Sequence, residues 1–498
     1  MTALLLPALV ALPVVGAALA VLAGDRLGRW VTAGTLALQT GLAAALVGRV
    51  ADDGPTRTVV GGFRPAVGVE LRADPLAALI VALVAAVAGG AAWYAGAVGA
   101  RSAHADALVL LLAAGLSGVG LTADLFNLYV VLEITGLAAY ALVALGERGS
   151  ARAALRYLFA GTVGATLYLL GVGYLYVATG HLNIDKSSVF VSGLAPSSTL
   201  ALAAFAFVFA GLAVKIPLVP VHTWLPDAHA QASVSASVVL SALVTTAGVY
   251  ALVKVLYGVF GVEFLTAVPA VGALVSGLGA VSVLVGGALA LRESKVKRVL
   301  AYSTVSQLGV VVVGAGLGTR LGLTGAAVHL LGHAITKAGL FFAAGLLSLS
   351  TGAKTVEECA GVGKRAPVVG AAFAVLSLGM VGVPPTVGFA GKWYVLVAAA
   401  SAEAWPLVAA VLASSLLSLA YFGRILARMF FAPPADGLPA DAGEPSVGGG
   451  TPANADAPTE SVGASVLPIL AALATLALGL SAATLAQFLE PAVSSLLT

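Results

Sequence analysis

Ala204-Phe-Ala-Phe-Val-Phe-Ala-Gly-Leu-Ala-Val-Lys-Ile-Pro-Leu-Val-Pro220 is apolar from end to end except for Lys215, and two prolines close it. The run belongs in hydrocarbon, where a lysine at a helix centre costs about 2.5–3.5 kcal/mol, so the cation marks a functional site. Each proline removes a backbone donor and frees a carbonyl one turn back, which lipid cannot satisfy. A helix broken here needs protein or water around it. Glu133, Lys337 and Lys392 share the predicament of Lys215.

The rest of the chain is of the same kind. Of 498 residues, 60% are apolar and 9% charged, against roughly 25% charged in soluble domains. This composition predicts an all-α polytopic membrane protein. Hydropathy divides it into fourteen stretches, near 2–23, 30–48, 75–98, 106–122, 125–145, 155–178, 199–220, 235–258, 266–291, 298–317, 322–349, 366–391, 403–423 and 464–490. Most reach the roughly 20 residues that cross a bilayer, and 106–122 and 298–317 are shorter. Lys and Arg concentrate in cytoplasmic loops. With fourteen spans, the loops after odd-numbered spans hold fifteen of them, Arg101 and Arg148 included, and the opposite face holds seven: Arg49, Arg57, Arg64, Arg72, Lys186, Arg320 and Lys254. Both termini are therefore expected outside a plasma membrane. The first span, Thr2 to Leu22, lacks the basic leader of a secretory signal and reads as uncleaved. The single cysteine, Cys359, excludes an intramolecular disulfide and a thiolate cluster, and no cofactor or metal is expected. The net charge of +3 encodes orientation rather than nucleic-acid binding.

Only two loops exceed twenty residues. In the first, 50–72, the alternation in Gly61-Gly-Phe-Arg-Pro65 and Val67-Gly-Val-Glu-Leu71 predicts a short extracellular hairpin. The second, within 432–463, is rich in Pro, Gly, Ala and Asp and reads as a disordered connection. Five spans after the break at Lys215-Ile-Pro217-Leu-Val-Pro220 comes another, Gly379-Met-Val-Gly382-Val-Pro384-Pro385-Thr-Val-Gly388. Paired interruptions of this kind point to inverted repeats around an ion path, and an odd number of spans per repeat forces opposite topology. The expected organisation is three N-terminal helices (1–100), a first five-helix repeat (101–260), a second (261–431), the loop 432–463 and a last helix (464–498).

Glu133 lies mid-span in Asp124-Leu-Phe-Asn-Leu-Tyr-Val-Val-Leu-Glu-Ile-Thr-Gly-Leu. A carboxylate that approaches and leaves a cation is a protonation switch. After Lys215 comes Val221-His-Thr-Trp-Leu-Pro-Asp-Ala-His229, where His222, Asp227 and His229 suit a proton relay; Pro226-Asp227 equally fits a turn and helix cap. His329, His333 and Lys337 are spaced i, i+4, i+8, about 12 Å of rise on one side of a helix. They read as a ladder of titratable groups, because no carboxylate or cysteine adjoins them as a metal site requires. Tyr302, Ser303, Thr304, Ser306 and Gln307 add hydroxyl and amide groups nearby. Lys392 follows the second break as Lys215 adjoins the first. No Walker A or nucleophilic triad is present, so energy must come from an ion gradient or a redox partner.

Together, Phe126-Asn-Leu-Tyr-Val-Val-Leu-Glu133, Val214-Lys-Ile-Pro-Leu-Val-Pro-Val-His-Thr-Trp-Leu-Pro-Asp-Ala-His229, His329-Leu-Leu-Gly-His-Ala-Ile-Thr-Lys337 and Gly388-Phe-Ala-Gly-Lys392 resemble the antiporter-like subunits shared by respiratory complex I, membrane-bound hydrogenases and Mrp-type (multiple resistance and pH) cation/proton antiporters. The resemblance implies fourteen helices with two inverted five-helix repeats, each containing a broken helix. It makes Glu133 the partner of Lys215, places Lys337 with His333 and His329 on a central axis, and makes Lys392 the terminal lysine. Phe-Asn-Leu-Tyr before Glu133, Gly61-Gly-Phe with Gly68-Val-Glu-Leu, and the terminal lysine look most like the D-type subunits of Mrp antiporters; Trp224-Leu-Pro-Asp-Ala-His-Ala-Gln is closer to complex I subunits. Thr246 stands where the family commonly has a lysine, and a water chain or Lys254 would have to substitute. The implied function is a subunit of a hetero-oligomeric Na+ or K+/proton antiporter, with other membrane subunits as partners. The alternative is a proton-pumping membrane subunit of NADH–quinone oxidoreductase or hydrogenase. A scaffold without transport is the opposing reading, and four buried charges weigh against it.

Overall fold

A computed structural model describes residues 2–62, 68–99, 102–146, 149–185, 193–433 and 462–497. The connection expected to be disordered lies outside the described residues over 434–461, as do Arg64, Arg101, Arg148 and Lys186 of the orientation count.

The first helix, α1 (Thr2–Asp53), joins two expected spans and bends at Gly24, whose φ of 68° only glycine adopts freely. A two-stranded hairpin follows, β1 (Thr56–Val59) antiparallel to β2 (Glu70–Ala73), with Thr56 opposite Ala73 and Val59 opposite Glu70. The hairpin expected from sequence is present, with its strands displaced outward from the two quoted segments. Next come α2 (Pro75–Ala97), α3 (Ala103–Leu121), α4 (Leu125–Ala144) and α5 (Ser150–Thr179). Side chains of Asp74, Ser102 and Asp124 start the first three by accepting from Ala77, Ala105 and Asn127 N–H, satisfying donors that the helix leaves free.

The expected span 199–220 is cut: α6 (Thr199–Lys215) ends at the lysine and a short α7 (Trp224–Gln231) follows. Beyond lie α8 (Val234–Ala267), α9 (Pro269–Arg292), α10 (Val296–Gly316) and α11 (Arg320–Thr351). The expected span 366–391 is two helices, α12 (Pro367–Val381) and α13 (Val387–Ser401), so Lys392 sits inside the second half-helix. After α14 (Trp405–Phe431), the expected span 464–490 also divides, into α15 (Val462–Leu480) and α16 (Ala482–Leu497). Among the described residues eleven helices are long and apolar enough to cross a membrane, with 199–215, 367–381 and 387–401 shorter. Gly24, with φ 68° and ψ −178°, interrupts the helix between the two expected spans, whereas hydropathy alone does not detect the hinges that split the other apolar runs.

Lipid gives helices no hydrophobic reason to pair, so close backbone approach through small residues holds them. A Cβ on Gly211 would stand 2.5 Å from Gly164 O between α6 and α5, and one on Gly309 would stand 2.6 Å from Gly279 O between α10 and α9. Helices α8 and α10 are apolar and enclosed almost all round, forming the interior against which both breaks pack. At the second break Gly382 takes φ 88°, and the first turn of α13 packs against the last turn of α12. There a Cβ on Gly388 would collide with Gly379 O.

Gly388→Ala is expected to destabilise the detergent-solubilised protein by about 1–3 kcal/mol, as overpacking does. Gly277→Ala on α9, whose Cβ would meet nothing within 4 Å, is expected to hold or raise the melting temperature. Thermal melts of the two variants check this, and equal melting temperatures would contradict the close approach.

Candidate functional site

Lys215 ends α6, and its ammonium donates to Glu133 Oε1 of α4 at 2.7 Å and to Tyr140 Oη at 3.4 Å. Tyr140 lies seven residues after Glu133, on the same face of α4. Gly161 leaves room for it, since a Cβ there would collide with Tyr140 Oη. Tyr157 meets Tyr140 edge-on, with centroids 4.4 Å apart, and stacks on Trp224 at 4.0 Å and 2°. The Trp224 indole N–H donates to Val214 O at 3.0 Å, covering a carbonyl that the broken helix abandons. Thus the Trp224 beyond the break ties the chain back to the residue before Lys215.

The residues after the break separate. Asp227 is not a cap: Oδ2 takes Arg156 at 2.7 Å and Oδ1 takes Arg298 at 2.9 Å, in a partly exposed ion-pair cluster. Two guanidiniums on α5 and α10 claim the carboxylate before a cap can form. His222 is buried near the Tyr302 ring, and its Nδ1 has no hydrogen-bond partner. His229 is fully buried, stacked on Phe341 of α11 at 4.9 Å, and neither ring nitrogen is hydrogen-bonded.

On α11 the three expected residues line up, but their partners lie sideways on α10. Lys337 donates to Leu300 O at 2.7 Å and to Ser303 Oγ. His329 Nε2 lies 3.1 Å from Gln307 Oε1. His333 between them makes no hydrogen bond through either ring nitrogen. On α13, Lys392 turns back to donate to Met380 O at 2.9 Å and Val381 O at 3.1 Å, with Ser415 Oγ at 3.5 Å. It occupies the C-terminal end of α12, where orphan carbonyls and the helix dipole favour a cation. Gly391 permits this packing, since a Cβ there would stand 2.5 Å from His329 Cβ.

Thr246 is buried with its hydroxyl unpartnered. Lys254, two turns on, does not turn toward the axis. Its ammonium donates to Val119, Gly120 and Thr122 carbonyls at 3.1, 2.9 and 2.8 Å, closing the end of α3 beside the hairpin. The interior polar contact from α8 is instead Ser241, in a π-helical turn (Leu240–Val244), at 2.9 Å from Thr304 Oγ1. π-Turns inside helices are frequent at functional sites. Sequence reasoning missed Tyr140, Tyr157, Ser241 and, on α14, Ser414, Ser418 and Tyr421. The signal for the last three is their i, i+4, i+7 spacing in an otherwise apolar helix. Among the described residues no three His, Cys, Asp or Glu side chains come together to hold a metal.

Two helix breaks with a lysine at each, and a buried histidine–lysine ladder between them, define a polytopic membrane protein that carries titratable groups inside its helix bundle. The chain belongs to the family described as NADH:quinone oxidoreductase/Mrp antiporter, TM, whose model matches residues 122–418. NADH-quinone oxidoreductase subunit N of Desulforudis audaxviator is 41% identical over 406 residues, 80% of each chain. The antiporter subunit mnhD2 of Staphylococcus aureus is 29% identical over 411 residues, 82% of this chain and 81% of that protein. A chain of the Mrp complex from Dietzia sp. DQ12-45-1b superposes with a TM-score of 0.88 at 27% identity, covering 100% of this chain and 97% of that one.

Trp224→Phe is expected to keep the stack on Tyr157 while stranding Val214 O, a loss of about 1–3 kcal/mol. A thermal melt of the purified variant reads it, and an unchanged melt would show that the indole bond does not hold the break.

Proposed function

We propose that this chain moves protons as one membrane subunit of a larger assembly, and that the assembly is a monovalent cation (Na+ or K+)/proton antiporter of the Mrp type. The observation that carries the reading is the Glu133–Lys215 ion pair, 2.7 Å long, at the break in α6. Few structural needs justify a buried ion pair at membrane depth. Alternation of Lys215 between Glu133 and other partners would gate one half of the path. His333, Lys337 and His329 form the central axis in this reading, and Lys392 ends the second half. Support for the antiporter comes from the end-to-end match to the Mrp complex chain and from the antiporter subunit of Staphylococcus aureus. The second reading, a proton-pumping subunit of an NADH–quinone oxidoreductase, is favoured by the 41% identical subunit N.

The architecture belongs to the same proposal. Counting α1 as two crossings and each divided pair, α6 with α7, α12 with α13 and α15 with α16, as one gives fourteen. Three N-terminal helices (1–100) then precede inverted repeats at 101–260 and 261–431, with the break in the fourth helix of each. The loop 432–463 and the last helix (464–498) follow, with both termini outside the plasma membrane.

Inverted membrane vesicles carrying the assembled complex separate the readings. An antiporter dissipates an imposed pH gradient when Na+ or K+ is added without an electron donor, whereas a redox-driven pump acidifies the lumen only while NADH is oxidised. Lys215→Ala and Lys337→Ala are each expected to lower the coupled rate at least about tenfold, the scale of losing one charged buried contact. Full activity in both, at equal amounts of assembled complex, would refute proton transfer along this axis.

A further inference from the structure

We propose that Ser414, Ser418 and Tyr421 of α14 act through Gln307 as positioning residues that set the tautomer of His329; this deepens, and rests on, the proton-transfer reading above. The three lie on one face of α14, and all are fully buried. Gln307 Nε2 donates to Ser418 Oγ at 3.0 Å and reaches Ser414 Oγ at 3.5 Å. Ser418 Oγ and Tyr421 Oη lie 2.9 Å apart, and Ser303, which receives the Lys337 ammonium, is also beside that phenol. With its NH2 end turned to the serines, Gln307 faces the imidazole with its oxygen.

An amide oxygen accepts and never donates, so neutral His329 must carry its proton on Nε2, the atom 3.1 Å from Gln307 Oε1. Nδ1 is left without the proton and has no close hydrogen bond, with the Gly388 backbone also facing the ring. The charged and titratable neighbours of the ring are Lys392 on α13 and His333 on its own helix. The ring is therefore held with one basic atom in a fixed direction, and a buried network of this kind specifies one arrangement only while every member is satisfied. Without the serines the amide is free to turn over, offer its NH2 to His329 and move the imidazole proton to Nδ1.

The test uses the assembled complex in inverted vesicles. Ser418→Ala and Tyr421→Phe are expected to lower the coupled proton rate about threefold to tenfold, the scale of one lost buried hydrogen bond. Ser418→Thr, which keeps Oγ, is expected to restore it. If Ser418 served packing alone, the larger threonine would be the worse variant, so Thr impaired like Ala or beyond it overturns the proposal, as does parental activity in both Ser418→Ala and Tyr421→Phe. Tyr421→Phe keeps the test alive should Ser418→Ala not assemble. Loss in Lys337→Ala with none in the α14 variants would remove the positioning role and leave the proton-transfer reading standing, whereas no loss in any of them would remove both.

Discussion

A helix that stops inside a membrane leaves carbonyls with no water to accept from, and the arrangement of this site follows from how those carbonyls are satisfied. At the first break Trp224 Nε1 covers Val214 O, and Leu218 N–H reaches Ala213 O at 2.9 Å. At the second, Gly382 and Val383 N–H both return to Leu378 O, and Lys392 takes the next two free carbonyls, Met380 and Val381. Lys254 performs a similar service at the end of α3, whereas the Leu300 carbonyl that takes Lys337 lies inside α10 and also accepts from the Ser303 and Thr304 hydroxyls. In hydrocarbon the broken backbone and the buried cation cancel part of each other's cost. Lys215, Lys254 and Lys392 therefore meet helix ends, and Lys337 does not.

The two breaks are alike in backbone and unlike in charge. Lys215 has a carboxylate at 2.7 Å, whereas Lys392 and Lys337 are held by carbonyls and hydroxyls. On giving up its proton, a lysine held by neutral acceptors loses only hydrogen bonds; one paired with a carboxylate also leaves an uncompensated buried anion. In the proposed proton path the Glu133 pair would be the stiffer station, the one that needs a partner movement to release its proton. Tyr140, pinned between Tyr157 and the gap left by Gly161, is placed to accept from that ammonium as the carboxylate leaves.

Much of this is readable from residue order. The apolar stretches, the paired breaks and the i, i+4, i+8 ladder on α11 depend on composition and helical period, which are local properties. Side-chain partners are not local. That Lys337 and His329 bond sideways to α10 while His333 is left without a hydrogen bond depends on how α10 and α11 are rotated against each other. The stripe on α14 is hard to read because serines in an apolar helix commonly bond their own backbone, and only its tyrosine, seven residues on, breaks that pattern. Asp227 misleads for the opposite reason: its sequence neighbours fit a cap, and the two arginines that claim it are 71 residues away on either side.

Thr246 shows what the interior gains by having no lysine there. A further buried cation here would raise the cost of Lys215, Lys337 and Lys392, since like charges at low dielectric repel over many ångströms. The interval is furnished with neutral groups instead: His229 against Phe341, its carbonyl accepting from Ser237 Oγ, and Ser241 bonded to Thr304 next to the serine that holds Lys337. Ser237, Ser241 and Thr245 repeat every fourth residue, and each takes a different partner: the His229 carbonyl, Thr304 of α10 from within the π-helical turn Leu240–Val244, and the Ser241 carbonyl. In the proposed proton path this interval would offer hydroxyls and the His229 imidazole without a further resident lysine.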